Sequence, residues 1–374
     1  MTLTSGLRTY GESARGRDHV TLGKPCQDYS VNTLLDDHTA LLIAADGVGS
    51  AAHAEEGSST AAETVRDFLT SAPRPITPEV INQAYKAAYR AVEAHCAANT
   101  GRMEDYDTTL TVAVFDSTDG SITYGHSGDG GILALRRDGI VREITRPQKG
   151  PDGTSVLPLR AVNAWEFGRA PGEYVSVVAV TDGVRDILVP SILSLTGEHV
   201  YVRLFSWIAD IRNFDLEHLE DGFAARLRNL EGDRWSRFTN DDFTLTVAMD
   251  TSVTAQERAE SYYAEPDWKG LEERWRRSAY PSMYAGKSEP TVTSEEFRRL
   301  EERGEDIEEV DSIVTLADCL RFGWFSPVDL GRSCRLYIIA SDLGSEKARE
   351  IITRVPFTRM VSKIRITMSQ SGRR

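Results

Sequence analysis

Cysteine is scarce in this 374-residue chain: Cys26, Cys96, Cys319 and Cys334 are the only four, and no two are spaced as a C-x-x-C pair. That spacing argues against a zinc site or a disulfide framework and leaves buried or free thiols as the default. Long apolar runs are also missing. The opening Met1-Thr2-Leu3-Thr4-Ser5-Gly6-Leu7-Arg8 has no signal-peptide core, and no later stretch approaches the length that crosses a bilayer. The expectation is a cytoplasmic protein with no membrane partner. Positive charge is in deficit, with 43 Lys and Arg against 57 Asp and Glu and a formal net charge of −14. This argues against nonspecific nucleic-acid binding and favours a carboxylate site for hard divalent cations. Internal repeats and low-complexity tracts are absent.

What is present is an ordinary globular composition, 40% hydrophobic and 27% charged, long enough for two domains or one large domain with an appendage. The most informative segment is Leu41-Leu42-Ile43-Ala44-Ala45-Asp46-Gly47-Val48-Gly49-Ser50, an apolar run that delivers one carboxylate onto a glycine-flanked turn. A buried strand presents a metal ligand in this way, and the glycines leave room for an ion and a phosphate to approach the backbone. The device recurs at Val177-Val178-Ala179-Val180-Thr181-Asp182-Gly183. A single Asp-Gly pair is most often only a turn; two at strand ends far apart in sequence suggest one shared site.

Helices are expected over 54–70 and 78–99, the second opening with a Thr77 cap and Pro78 at its first position, each with an apolar stripe to bury. Short strands rich in Val, Ile, Leu and Thr are expected over 30–34, 39–45, 109–115, 121–127, 131–136, 175–181 and 243–250. Asp119-Gly120 and Asp138-Gly139 mark hairpin turns. Mostly antiparallel strands with grouped helices give an α+β fold, a layered sandwich of two mainly antiparallel β-sheets flanked by helices, with a C-terminal α/β module. The expected division is 1–252 and 253–374. In the second part 251–260 reads as a linker or short helix, 268–277 as a Trp-bearing helix, and 281–290 as loop. Further on, 294–309 reads as an acidic helix, 334–340 as a buried strand, 345–354 as a helix and 360–368 as a second strand. Trp268 and Trp275 read as a buried helix face. The basic excess of Lys347, Arg349, Arg354, Arg359, Lys363, Arg365, Arg373 and Arg374 reads as a solvated face, or as a dock for an acidic partner or the catalytic domain itself.

Five motifs follow in order: Gln27-Asp28, Asp46-Gly47-Val48-Gly49, Gly128-Asp129-Gly130, Thr181-Asp182-Gly183 and Asn240-Asp241-Asp242-Phe243-Thr244, with Thr108-Thr109-Leu110 at the start of a strand. As a set over about residues 6–252 they resemble the metal-dependent type 2C Ser/Thr protein phosphatases, the PPM family. The opening 13–19 with Pro25-Cys26-Gln27-Asp28 looks most like a bacterial branch. The resemblance implies hydrolysis of phosphoserine or phosphothreonine by attack of a metal-bridging water. It further implies that Asp46, the Gly47 carbonyl, Asp182 and Asp241 hold two Mg²⁺ or Mn²⁺ ions, that Asp129 with Asp182 binds a third, looser ion, and that Asp28 orients metal-bound water. The implied partners are a phosphoprotein substrate and a cognate Ser/Thr kinase. The chemistry is consistent: two ions lower the pKa of a shared water and clamp phosphoryl oxygens, and oxygen-only ligands suit Mg²⁺ and Mn²⁺.

Three departures stand out. Gln27 replaces the Glu of many relatives, Gly23 sits where the family's phosphate-binding arginine is expected, and the usual Gly-Asp-Ser-Arg reads Gly-Asp-Gly-Gly. Lys24, Arg17 and His19 are candidates for the missing arginine. Taken alone, Asp129 and Asp242 read as turn or capping residues, and His126, at a strand end beside Ser127 and Gly128, reads as a satisfied structural histidine, with a general acid near the site as the alternative. Two other functions remain open at this point. One is a degenerate phosphatase domain serving as a regulatory or scaffolding module for a kinase or stress-response partner; the other is hydrolysis of a small phosphorylated metabolite.

Overall fold

The computed structural model describes residues 6–150, 155–196, 199–230, 235, 238–279, 292–303, 307, 309–322, 324–325, 329–353, 357, 360–361 and 364. The chain divides into two compact units, 1–266 and 267–374.

The first unit holds two five-stranded antiparallel sheets. One is ordered β1 (Leu7–Ala14), β10 (Phe243–Asp250), β9 (Tyr174–Val180), β6 (Gly131–Arg136) and β7 (Val141–Glu143). The other runs β2 (Asp28–Leu34), β3 (Thr39–Asp46), β4 (Leu110–Asp116), β5 (Ser121–Ser127) and β8 (Glu166–Ala170). The period-two pattern of β3 explains its unbroken apolar run. Leu41, Ile43 and Ala45 face α2 (Ala54–Ser71) and α3 (Pro78–Ala98), whose stripe of Ala61, Val65, Leu69, Ile81, Ala84, Ala88 and Val92 covers that face. Ala40 and Leu42 point the other way, into a core shared with Phe115, Ile122, Ile132, Val177, Ala179 and Ala248. A strand buried on both faces has no polar alternation to show. Truncating Phe115, fully buried, would cost about 3–5 kcal/mol by the usual scale for large core side chains.

Helix α3 starts as its sequence predicts: the Thr77 hydroxyl accepts from Val80 N–H at 3.4 Å with Pro78 at the first helical position. The seven predicted strands are present. Four further helices complete the unit: α1 (Arg17–Leu22), α4 (Asp182–Leu188), α5 (Val202–Ala209) and α6 (Leu219–Leu230). None of them, nor β1, β7 and β8, had been expected, because they are short or carry mixed polarity. The segment 253–266, placed by the sequence with the second part, lies in the first unit. Gln256 N–H donates to the Arg137 carbonyl at 2.8 Å, and Tyr262 Oη accepts from Val141 N–H at 2.9 Å.

The second unit corrects the expected α/β module, because the regular elements among its described residues are all helices. They form α7 (Trp268–Ala279), α8 (Ser294–Arg303), α9 (Val310–Phe322), α10 (Leu330–Asp342) and α11 (Glu346–Ile352). The run 334–340 is not a strand but the middle of α10. Of the second expected strand, Met360, Val361 and Ile364 are helical and the other positions lie outside the described residues, as does the expected loop 281–290. Helix α10 buries Cys334, Tyr337, Ile338 and Ser341, one stripe at a spacing of three and four. At its centre the Asp318 carboxylate accepts from Tyr337 Oη at 2.5 Å and Lys347 Nζ at 2.8 Å, tying α9, α10 and α11 together.

Candidate metal and active site

Antiparallel pairing brings the distant motifs to one end of the sandwich. Strand β9 ends at Val180, which lies opposite both Leu245 near the start of β10 and Gly131 at the start of β6. Asp182 just after β9, Asp241 just before β10 and Asp129 just before β6 must therefore lie at a common edge. In the second sheet the end of β3 lies against the start of β4, and the start of β4 against the end of β5, with Ala44 opposite Thr111 and Leu110 opposite Ser127. Asp46 is thereby brought to the same end of its sheet, and Asp28 faces it directly across the β2–β3 ladder. One carboxylate oxygen from each of Asp46, Asp129 and Asp182 lies within 4.8 Å of the others.

Backbone bonds fix each ligand candidate. Asp46 N–H donates to Thr109 Oγ1 at 3.0 Å, and its carbonyl accepts from Thr109 N–H at 2.7 Å and Thr108 Oγ1 at 3.0 Å. Gly47 N–H donates to the Gln27 carbonyl at 3.0 Å, joining two motifs. Asp28 Oδ2 accepts the Thr181 and Thr244 hydroxyls at 2.7 and 2.8 Å, a bridge from the second sheet to the first. Asp182 opens α4 at its first turn, where the helix end favours negative charge. The loop carrying Asp241 and Asp242 is gripped on both sides by glycines: a Cβ at Gly16 would overlap the Asp241 carbonyl group, and one at Gly183 the Asp242 carbonyl oxygen.

Concentrating carboxylates here strains their charge. Asp46 and Asp182 are held well above the usual carboxylate range, first by desolvation and then by neighbouring carboxylates, Asp28 for the former and Asp129 for the latter. Burial pushes Asp28 up to about 7 against the pull of its two threonine hydroxyls. Asp241, at the exposed rim, is raised by desolvation and by the Asp242 charge. Asp186, four residues beyond Asp182 on α4, is raised by desolvation and feels the Asp129 charge. The sequence reading missed Asp186, although the i, i+4 spacing signals it. It also missed Lys149, whose ammonium pairs with Asp129 Oδ2.

The remaining candidates separate. Asp242 is a latch: its oxygens accept from Gly16 N–H (2.6 Å), Gln27 N–H (2.6 Å) and the His19 ring at Nδ1 (2.8 Å). His19, buried, is thus engaged through Nδ1 with that latch. Lys24 lies at the edge of the Asp46 turn, donating to the Gly49 carbonyl at 3.2 Å. Arg17 is exposed on α1. His126 is the structural histidine the sequence suggested: fully buried, it meets Thr111 Oγ1 and the Arg146 carbonyl at 3.1 Å each, and burial pushes its pKa down to about 4. Burial also pushes the Cys26 thiol up to about 12, the reverse of what a cysteine nucleophile needs.

Two buried oxygens at this edge, Asp129 Oδ1 and Gln27 Oε1, have no hydrogen-bond partner. Orphaned acceptors among mutually repelling carboxylates fit divalent cations, and an all-oxygen donor set fits Mg²⁺ or Mn²⁺. The first unit is thus an α+β domain, a double antiparallel sandwich with a carboxylate cluster at one end. The family model described as protein phosphatase 2C matches residues 15–228, and the chain belongs to that family. No curated protein matches it. Three similar solved structures are RsbX in complex with magnesium, the catalytic domain of the phosphatase PstP with 2 manganese ions, and Stp1 from Staphylococcus aureus. RsbX is 15% identical, covering 65% of this chain and 94% of its own at a TM-score of 0.40. PstP is 17% identical, covering 65% and 97% at 0.45. Stp1 is 12% identical, covering 66% and 94% at 0.46.

Proposed function

We propose that this protein phosphatase is a Mg²⁺- or Mn²⁺-dependent enzyme acting on phosphoserine and phosphothreonine of a bacterial phosphoprotein. The carrying observation is the meeting of Asp46, Asp129 and Asp182 oxygens within 4.8 Å at one end of the sandwich. Asp46, the Gly47 carbonyl, Asp182 and Asp241 would hold two ions, and Asp129 lies beside Asp182 with its Oδ2 on the Lys149 ammonium. Bound there, the ions supply a nucleophile at neutral pH and neutralise the phosphoryl oxygens. The protein's own part is placement. The β3 and β9 ends hold the carboxylates on rigid strands, and Asp28, opposite Asp46 and bonded to two threonine hydroxyls, is suited to hold or pass a proton there. Lys24 on Gly49 is the basic side chain best placed at the turn to meet a substrate phosphate. The intact aspartate set does not favour the scaffolding alternative.

A cognate kinase, a signalling role and a cytoplasmic setting complete the proposal; the last is supported by four free thiols. Among the described residues no helix is long and apolar enough to cross a membrane. The test is hydrolysis of p-nitrophenyl phosphate and of a phosphothreonine peptide with and without Mn²⁺. Hydrolysis that persists in chelator, or that survives Asp182→Ala and Asp241→Ala, would overturn the assignment.

A further inference from the structure

Lys149 touches the carboxylate centre through Asp129, and its position is built rather than incidental. The preceding residue, Gln148, grips Gly128 twice: Gln148 N–H donates to the Gly128 carbonyl at 2.7 Å, and Gly128 N–H donates to Gln148 Oε1 at 3.3 Å. On the other side Lys149 pairs with Val156 as a β-bridge, closed by Gly150 N–H to the Ser155 carbonyl at 2.8 Å. Gly128 adjoins Asp129, so the clamp fixes ammonium and carboxylate relative to one another. The ammonium lies on Asp129 Oδ2, while the buried Oδ1 has no partner. The next two residues, Gly130 and Gly131, bring no side chain to the corner.

We propose that Lys149 is a tethered cation that supplies the charge compensation at Asp129 which a third, loosely held ion would otherwise provide, so that the enzyme operates with two ions. A fixed ammonium against the one oxygen repels a divalent ion approaching the other, and being covalently attached it is not diluted away at low metal concentration. Lys149 is accordingly a positioning residue for the Asp129 corner. The inference rests on the metal-dependent reading above.

The experiment is calorimetric titration of Mn²⁺ into the metal-stripped full-length protein, with the bound ions counted independently by electron paramagnetic resonance. The wild type should bind about two Mn²⁺, and Lys149→Met should bind about three, the added site being at least about tenfold weaker. Lys149→Arg keeps the charge and should remain at the wild-type count. Lys149→Gln offers a second neutral variant should the methionine variant melt early. A wild type that already binds three ions overturns the inference, as does a neutral variant whose count and affinities match the wild type. A wild type that binds no Mn²⁺ instead overturns the metal-dependent reading itself, and the inference with it.

Discussion

Replacing Asp46 by Asn should make the protein inactive and, without metal, more stable. The substitution keeps the shape and the backbone bonds to Thr108 and Thr109 and removes only charge. At the 4.8 Å limit on the Asp46, Asp129 and Asp182 separations, two unit charges repel by about 3 kcal/mol at an effective dielectric near 20. Asp46 and Asp182 are partly exposed, so screening brings the net relief to about 1–2 kcal/mol. At about 2–4 °C per kcal/mol for a domain of this size, Asp46→Asn should melt about 2–8 °C above the wild type in chelator at mildly alkaline pH. Saturating Mn²⁺ should reverse the order, because ligand at a hundredfold excess over Kd adds about 2.7 kcal/mol to a protein that binds it and little to one that has lost a bridging ligand. Hydrolysis of p-nitrophenyl phosphate should fall about a thousandfold, the loss of roughly 4 kcal/mol from the transition state. Scanning fluorimetry with and without Mn²⁺, alongside the assay, reads all three quantities. A variant that melts below the wild type in chelator, or keeps more than about a tenth of the activity, refutes the reasoning.

Three further outcomes follow from the same geometry. Asp28 has a folded-state pKa of about 7 against 3.8 unfolded, so the folded chain binds more protons between those values. Stability from this group is full below 3.8 and lost as pH rises through about 7, and in chelator the denaturation midpoint of the wild type should fall more steeply over that window than that of Asp28→Asn. Gln27→Glu places a carboxylate at a buried oxygen that now has no partner and should lower the Mn²⁺ concentration for half-maximal activity by about threefold or more, whereas an unchanged or higher value in a metal titration counts against it. A chain ending after Pro266 should stay folded and hydrolyse the small ester, while one ending at Thr251 loses the Gln256 and Tyr262 bonds to the β6–β7 hairpin and should melt lower. Equal melting of the two truncated chains would show that 252–266 adds nothing to the fold.

The sandwich was largely legible in the sequence because its strands are short apolar runs bounded by Asp-Gly turns and its two long helices carry caps and stripes. The run 334–340 misled for the opposite reason: Cys-Arg-Leu-Tyr-Ile-Ile-Ala is apolar enough that a seven-residue window does not distinguish a buried strand from a buried helix, and the longer period appears only once Leu330–Asp342 is taken whole. Strand β8, Glu-Phe-Gly-Arg-Ala, is an edge strand with little burial to mark it. The aspartates could be picked out by their turns, but their distances depend on strand register. The latch at Asp242 and the reach of Lys149 depend on partners more than two hundred residues away and twenty residues away respectively, separations that local patterning does not encode.

The glycine grip on the Asp241–Asp242 loop bears on how this protein would look to genetics. Gly16 and Gly183 carry no functional group, yet any side chain at either would push on the backbone of a proposed metal ligand or of the latch beside it. In a saturation library selected for activity, these two positions would be as intolerant as the aspartates themselves. A map of intolerance drawn from such a library would place silent residues among the reactive ones, and only a readout of metal binding and folding alongside turnover would tell the holders of the site from the site.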